Sequence, residues 1–131
     1  GLGGWWILTE VEVRLSAGDV VRPDVCGWRR ERMPDRPTGV PVDVCPDWIC
    51  EVLSPSDPSR DRVTKLRVYH RERVGHYWIV DPREQILTVM RWTEPGYTTV
   101  LAAQRGETVR AEPFEAIAIE VGTLFGDDPS E

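Results

Sequence analysis

Lysine is almost absent from this chain. It occurs once, as Lys65, beside 15 arginines among the 16 basic residues. Arginine has displaced it nearly everywhere, so the one lysine marks a place where a compact ammonium on a flexible stem matters, which a planar guanidinium does not replace. Long apolar runs are missing as well. No stretch approaches the 18 or so residues that a membrane-spanning helix needs, so no membrane partner is expected. The first residues also lack the basic patch and apolar core of a secretory signal. The three cysteines, Cys26, Cys45 and Cys50, form no Cys-x-x-Cys pair, and the two histidines, His70 and His76, lie apart from them. That spacing excludes a disulfide framework and a structural zinc site. It predicts free thiols in a reducing cytoplasm.

What is present suffices for one fold. The 131 residues are 40% hydrophobic and 29% charged, with a net charge of −6. This predicts one domain over 1–131 with an ordinary core, and not a disordered chain. The start, Gly-Leu-Gly-Gly without a methionine, predicts a fragment of a longer protein or a tag scar. The charge is unevenly spread. Residues 22–73 hold 11 basic and 9 acidic groups, whereas 74–131 hold 4 and 10.

Residues 5–15 end in strict alternation, which predicts a half-buried strand. After the turn signal at Ala17-Gly18-Asp19, residues 20–26 predict a second strand paired with it as a hairpin. Residues 28–46 read as a long Arg- and Pro-rich loop. A buried central strand is expected at 47–53. The SPSDPS segment, 54–59, ends it and offers Asp57 or Ser59 as a helix cap. Spacing of three to four predicts a helix over 59–74, with Gly75 as its left-handed cap. Further strands are expected at 76–81, 85–92, 97–103 and 114–121. The class is therefore α/β or α+β: a mixed sheet with one flanking helix.

Three residues stand out chemically. Asp24 follows Pro23 within an apolar strand. Glu51 interrupts an apolar strand, where an ionised carboxylate needs a partner, a metal or a raised pKa. Lys65 lies on the next helix, in a stripe with Asp61 and Tyr69 at four-residue spacing. Two carboxylates and an ammonium on adjacent elements can hold a hard divalent cation and a water. Each also has a plainer reading: a turn residue, a partner for a buried Arg22, or a surface pair with Asp61. Ser54 and Ser56 lack a G-x-S-x-G context and read as capping residues. Trp28 and the arginines of the loop and helix are candidates for base and phosphate contact.

The segments VRPDV (21–25), PDWICEVLSPSDPSRDRVTKLRVY (46–69) and GHYWIVDP (75–82) together resemble the Uma-two family of restriction endonucleases. That family is a branch of the PD-(D/E)XK nucleases. The resemblance runs over about 5–125. It implies a restriction-endonuclease-like three-layer α/β/α core and Mg²⁺- or Mn²⁺-dependent cleavage of DNA phosphodiesters. Asp24 and Glu51 would be metal ligands, with the main-chain carbonyl of Val52 as a third. The superfamily lysine, two places after the acidic residue, is here Leu53, so its role would pass to Lys65. Arg29, Arg30, Arg62 and Tyr69 are the expected nucleic-acid contacts, DNA the expected partner, and a homodimer the expected assembly. The rival expectation is a nuclease-fold module without catalysis, serving oligomerisation or nucleic-acid binding.

Overall fold

The computed structural model describes residues 3–56 and 59–130. The chain order begins with β1 (Trp5–Thr9), β2 (Val13–Arg14), β3 (Val20–Val21) and β4 (Val25–Arg29). It continues with β5 (Trp48–Val52), α1 (Ser59–Arg71), β6 (His76–Asp81), β7 (Ile86–Thr93) and β8 (Gly96–Gln104). Two short strands, β9 (Thr108–Val109) and β10 (Ile119–Glu120), precede a 3-10 turn at Val121–Phe125.

Six strands form one mixed sheet in the order β1-β4-β5-β6-β7-β8. The pair β5–β6 is parallel, with Trp48 opposite His76 and Val52 opposite Val80, and the other neighbours are antiparallel. A parallel pair needs a crossover, and α1 supplies it. The helix begins at Ser59 with Asp61 in its first turn and His70 and Arg71 in its last, each sign favourable to the helix dipole.

The expected hairpin of 5–15 with 20–26 forms in two pieces. Glu10 takes a positive φ of 51° and bends the chain. Before the bend β1 pairs with β4; after it β2 pairs with β3 as a separate ribbon. The helix stops at Arg71, short of 74, and Arg73, not Gly75, adopts the left-handed conformation at φ 60°. Asp57 lies outside the described residues. The strand expected at 114–121 is reduced to Ile119–Glu120, because Phe114 turns inward from an irregular stretch instead of alternating along a strand.

The alternation of β5 and β6 sends side chains to two cores. Trp48, Cys50, Trp78 and Val80 face one side, with Trp5, Phe114 and Val121. Ile49, Tyr77, Cys26 and Trp28 face the other, with Tyr69 of α1 and with Val13, Leu15 and Val42. Among the described residues one α-helix covers one face. The second helical layer is replaced by the C-terminal segment, with its short ribbon and 3-10 turn.

Candidate active site

The site forms where β4 begins and β5 ends. Val25 lies opposite Cys50 and Gly27 opposite Trp48. Asp24 comes just before and Glu51 just after the paired stretch, and their carboxylates act on each other, with Glu51 turned to Tyr69 of the helix. The backbone bonds fix which way each residue points. The Asp24 carbonyl accepts from Glu10 on the β1 side, and the Leu53 N–H donates to Val80 on the β6 side. Val52, one residue before Leu53, therefore turns its N–H and C=O toward β4. There its N–H donates to Asp24 Oδ2 at 2.7 Å. Pro23, the residue before Asp24, has no N–H to add to the ladder.

Glu51 is 5% exposed and is held from the helix. The Tyr69 hydroxyl donates to Oε1 at 2.8 Å, and Lys65 Nζ lies 3.8 Å from Oε2. Tyr69 and Lys65 are one helical turn apart, so the stripe that begins at exposed Asp61 descends into the protein. Lys65 pairs with Glu51, not with Asp61, and Arg22 donates to the Glu10 carbonyl instead of reaching Glu51. Burial pushes the Glu51 carboxyl above its usual range. The Tyr69 hydrogen bond and the Lys65 charge oppose that rise, and the neighbouring Asp24 adds to it. Tyr69 is also pushed up, first by burial and then by the Glu51 charge, so it stays a protonated donor. Cys26 and Cys50 beside the pair are pushed up to about 12, chiefly by burial, which makes them inert thiols.

The structure thus brings Asp24, Glu51, the Val52 main chain and Lys65 together. It separates the other candidates. Arg29 and Arg30 sit at the far end of β4, about 17 Å along the strand from Asp24. There they stack over Trp5 and Trp6 at 4.6 and 4.0 Å. Arg32 pairs with Asp47 at 3.0 Å. These loop arginines hold the sheet end together and do not surround the carboxylates. Arg62 is exposed on the first half of α1, at the site's end of the helix. Tyr69 is 1% exposed, so its ring is not offered to a nucleic acid; it serves Glu51. Trp28 is fully buried and donates to the Val44 carbonyl, which removes it as a stacking surface.

The donor set suits a hard cation. Two carboxylates and a carbonyl are oxygen ligands of the number that Mg²⁺ takes from protein while keeping waters. The crowding that raises Glu51 is what a cation would relieve. Among the described residues no group of three or more His, Cys, Asp or Glu side chains is arranged to hold a metal ion, so the candidate acidic set is the two carboxylates.

Two solved structures are similar to this chain. One is the crystal structure of a putative nuclease belonging to DUF820 from Anabaena variabilis, at TM-score 0.73 and 19% identity over 93% of this chain. The other is a cryoEM structure of a DrdV–DNA complex, at TM-score 0.48 and 20% identity over 79% of this chain. This chain spans 68% of the first protein's chain and 8% of the second's. The first likeness shows the fold: a mixed six-stranded sheet with one helix, of the α/β class. No helix of the described residues is long and apolar enough to cross a membrane. No curated protein matches the chain. The model of one family, Uma2, described as a putative restriction endonuclease, matches residues 1–122, and the chain belongs to that family.

Proposed function

We propose that this chain is a metal-dependent endonuclease that hydrolyses DNA phosphodiester bonds. The observation that carries the reading is the convergence of Asp24, Glu51 and the sole lysine, with Lys65 Nζ 3.8 Å from Glu51. Asp24, Glu51 and the Val52 carbonyl would hold Mg²⁺ or Mn²⁺. When bound, such an ion supplies Lewis-acid polarisation of a phosphoryl oxygen and charge stabilisation at the leaving oxygen.

The chain's own residues do the rest. The Val52 N–H fixes Asp24 Oδ2, and the Tyr69 hydroxyl fixes Glu51 Oε1, so each carboxylate keeps one oxygen anchored and one side directed to the site. Lys65 is about half exposed and can swing from Glu51 to a phosphate oxygen or a water without leaving the site. Its ammonium orients the attacking water by hydrogen bonding and offsets phosphate charge. Arg62, exposed on the same helix three residues before Lys65, would add phosphate contact. One domain over 1–131, the cytoplasm and a homodimer complete the reading. Cys26, Cys45 and Cys50 are all free, as a reducing compartment would keep them.

One observation favours the rival, a nuclease fold without catalysis: the carboxylate pair has no third acidic or imidazole partner among the described residues. Supercoiled plasmid with Mg²⁺ or Mn²⁺ separates the two. The chain should nick it, and Glu51→Gln and Lys65→Ala should each lose on the order of 10²–10³-fold in rate, the usual size for one preorganised electrostatic group. A folded chain that never nicks, or variants that nick at the parental rate, would overturn the nuclease reading.

A further inference from the structure

Beside the carboxylate pair lies a second feature. A cleft of about 260 Å³ opens between α1 and the β2–β3 ribbon, lined by Asp19, Val21, Thr64, Lys65, Val68 and Tyr69. Two of these residues belong to both places. Lys65 and Tyr69 contact Glu51 from the same helix face that walls the cleft. The cleft therefore begins where the candidate site ends.

Its construction points to a preformed pocket. The ribbon that roofs it is pinned to the end of the helix. Glu72 accepts from the Ser16 N–H at 3.0 Å and from the Ser16 hydroxyl at 2.7 Å. Arg71 bridges Glu72 at 3.3 Å and Asp19 at 3.4 Å. The Glu72 side chain is 4% exposed. These bonds tie the ribbon that carries Asp19 and Val21 to the helix. The lining is mostly apolar, with Val21 and Val68 at its surface and the buried Tyr69 behind them. Two charged residues also line it: Lys65, which pairs with Glu51, and Asp19, which Arg71 already pairs.

A mostly apolar body tethered to an anion that reaches Lys65 matches this lining and charge. We propose that the cleft receives the nucleobase of the nucleotide whose phosphate lies at Lys65. This rests on the nuclease reading and deepens it. Apolar walls take the face of a base, which every base has, and do not read its edge, so the cleft is tolerant of sequence. A base stacked and paired in a duplex cannot enter a pocket on a helix flank. It must be unpaired or swung out of the stack. The substrate class is therefore single-stranded DNA, or a duplex with an unpaired nucleotide at the cut.

The test uses the whole chain with Mn²⁺ and three matched oligonucleotides: single-stranded, duplex, and single-stranded with one abasic nucleotide at the cut position. Val68→Trp fills the cleft from the helix, and Val21→Trp fills it from the ribbon, so a folding failure of one leaves the other. The parent should cleave the single strand at least about tenfold faster in kcat/KM than the duplex, the size of one base's packing. Either filled variant should lose that advantage through KM, and should cleave the abasic strand as the parent does. A parent that prefers the duplex, or filled variants that cut the single strand unchanged, would overturn the inference and leave the nuclease reading standing. If nothing is cleaved, the nuclease reading falls. Binding of a 2-aminopurine oligonucleotide then decides the cleft: a fluorescence change lost in the filled variants supports it, and an equal change or none overturns it.

Discussion

The two faces of the sheet are built from the same strands and do opposite things. On the C-terminal side, Trp48 packs edge-on to Trp78 and Phe114 at 5.2 and 4.9 Å, and Trp5 packs on Phe114 at 4.9 Å. On the helix side, the next residues along the same strands, with Tyr69 of α1 packed on them, bury a carboxylate, two tyrosine hydroxyls and a thiol. A period of two places Trp48 and Cys50 in one environment and Ile49 and Glu51 in the other. The aromatic face supplies apolar burial, while the helix face bears the cost of a buried acid. One face holds the strands in register so that the other can hold Asp24 and Glu51 against each other.

Breaking the aromatic face should have the largest effect on folding. Trp48→Ala removes the ring that contacts both Trp78 and Phe114, and should cost about 3–5 kcal/mol, read as the urea midpoint at constant slope. Gly27→Ala comes next. A Cβ there would meet Ile7 Cδ1 at 2.8 Å, Trp5 at 3.1 Å and Trp48 at 3.2 Å. The overpacking should cost about 1–3 kcal/mol by the same measurement. Both changes lie on the face away from the site, so the fraction that remains folded should keep its specific activity.

The helix face should answer in reverse. Glu51→Gln keeps the shape and an acceptor for Tyr69 and removes a charge buried at 5% exposure. Folding stability near neutral pH should stay level or rise by up to about 1 kcal/mol while nicking is lost, as at sites that trade stability for chemistry. A large fall in the melting temperature would show that Glu51 is structural and that the two faces do not differ in kind.

The sequence announced that contrast unevenly. Glu51 and Asp24 were legible because a carboxylate inside an apolar strand breaks the pattern around it. Lys65 was legible because it is the one lysine. Tyr69 was not: an aromatic at helical spacing looks the same whether it fills a core or holds a buried carboxylate, and its bond to Glu51 joins residues 18 apart. The arginines at 29–32 looked like a basic patch because sequence distance hides strand direction. A five-residue strand carries Arg29 from the site to the opposite end of the sheet. The alternation at 114–121 predicts a strand of which the structure keeps only Ile119–Glu120, because Phe114 is drawn singly into the aromatic cluster and the backbone around it follows. The covering of that face was legible as apolar residues and not as architecture.

The smallest expected effect lies where the C-terminal segment is fastened to the sheet. Glu112 takes hydrogen bonds from Arg91 at 2.9 and 2.6 Å and pairs with His76 at 3.0 Å, while its carbonyl accepts from Trp78 Nε1 at 2.7 Å. Arg91 and then His76 hold its carboxyl down to about 2, from an ordinary 4.5. A carboxyl held down on folding stabilises the protein above its unfolded value, and that contribution disappears as pH falls through the folded value. The difference in stability between the parent and Glu112→Gln should therefore be level well above pH 4.5 and shrink steadily as pH falls from there through about 2. The residues are surface-facing, so salt should shrink it too. Urea titrations of both proteins across that range check it. A gap as large at pH 2 as at pH 6 would mean that the fastening is packing of Phe114 and Ala111 alone, and that the aromatic face closes without electrostatic help.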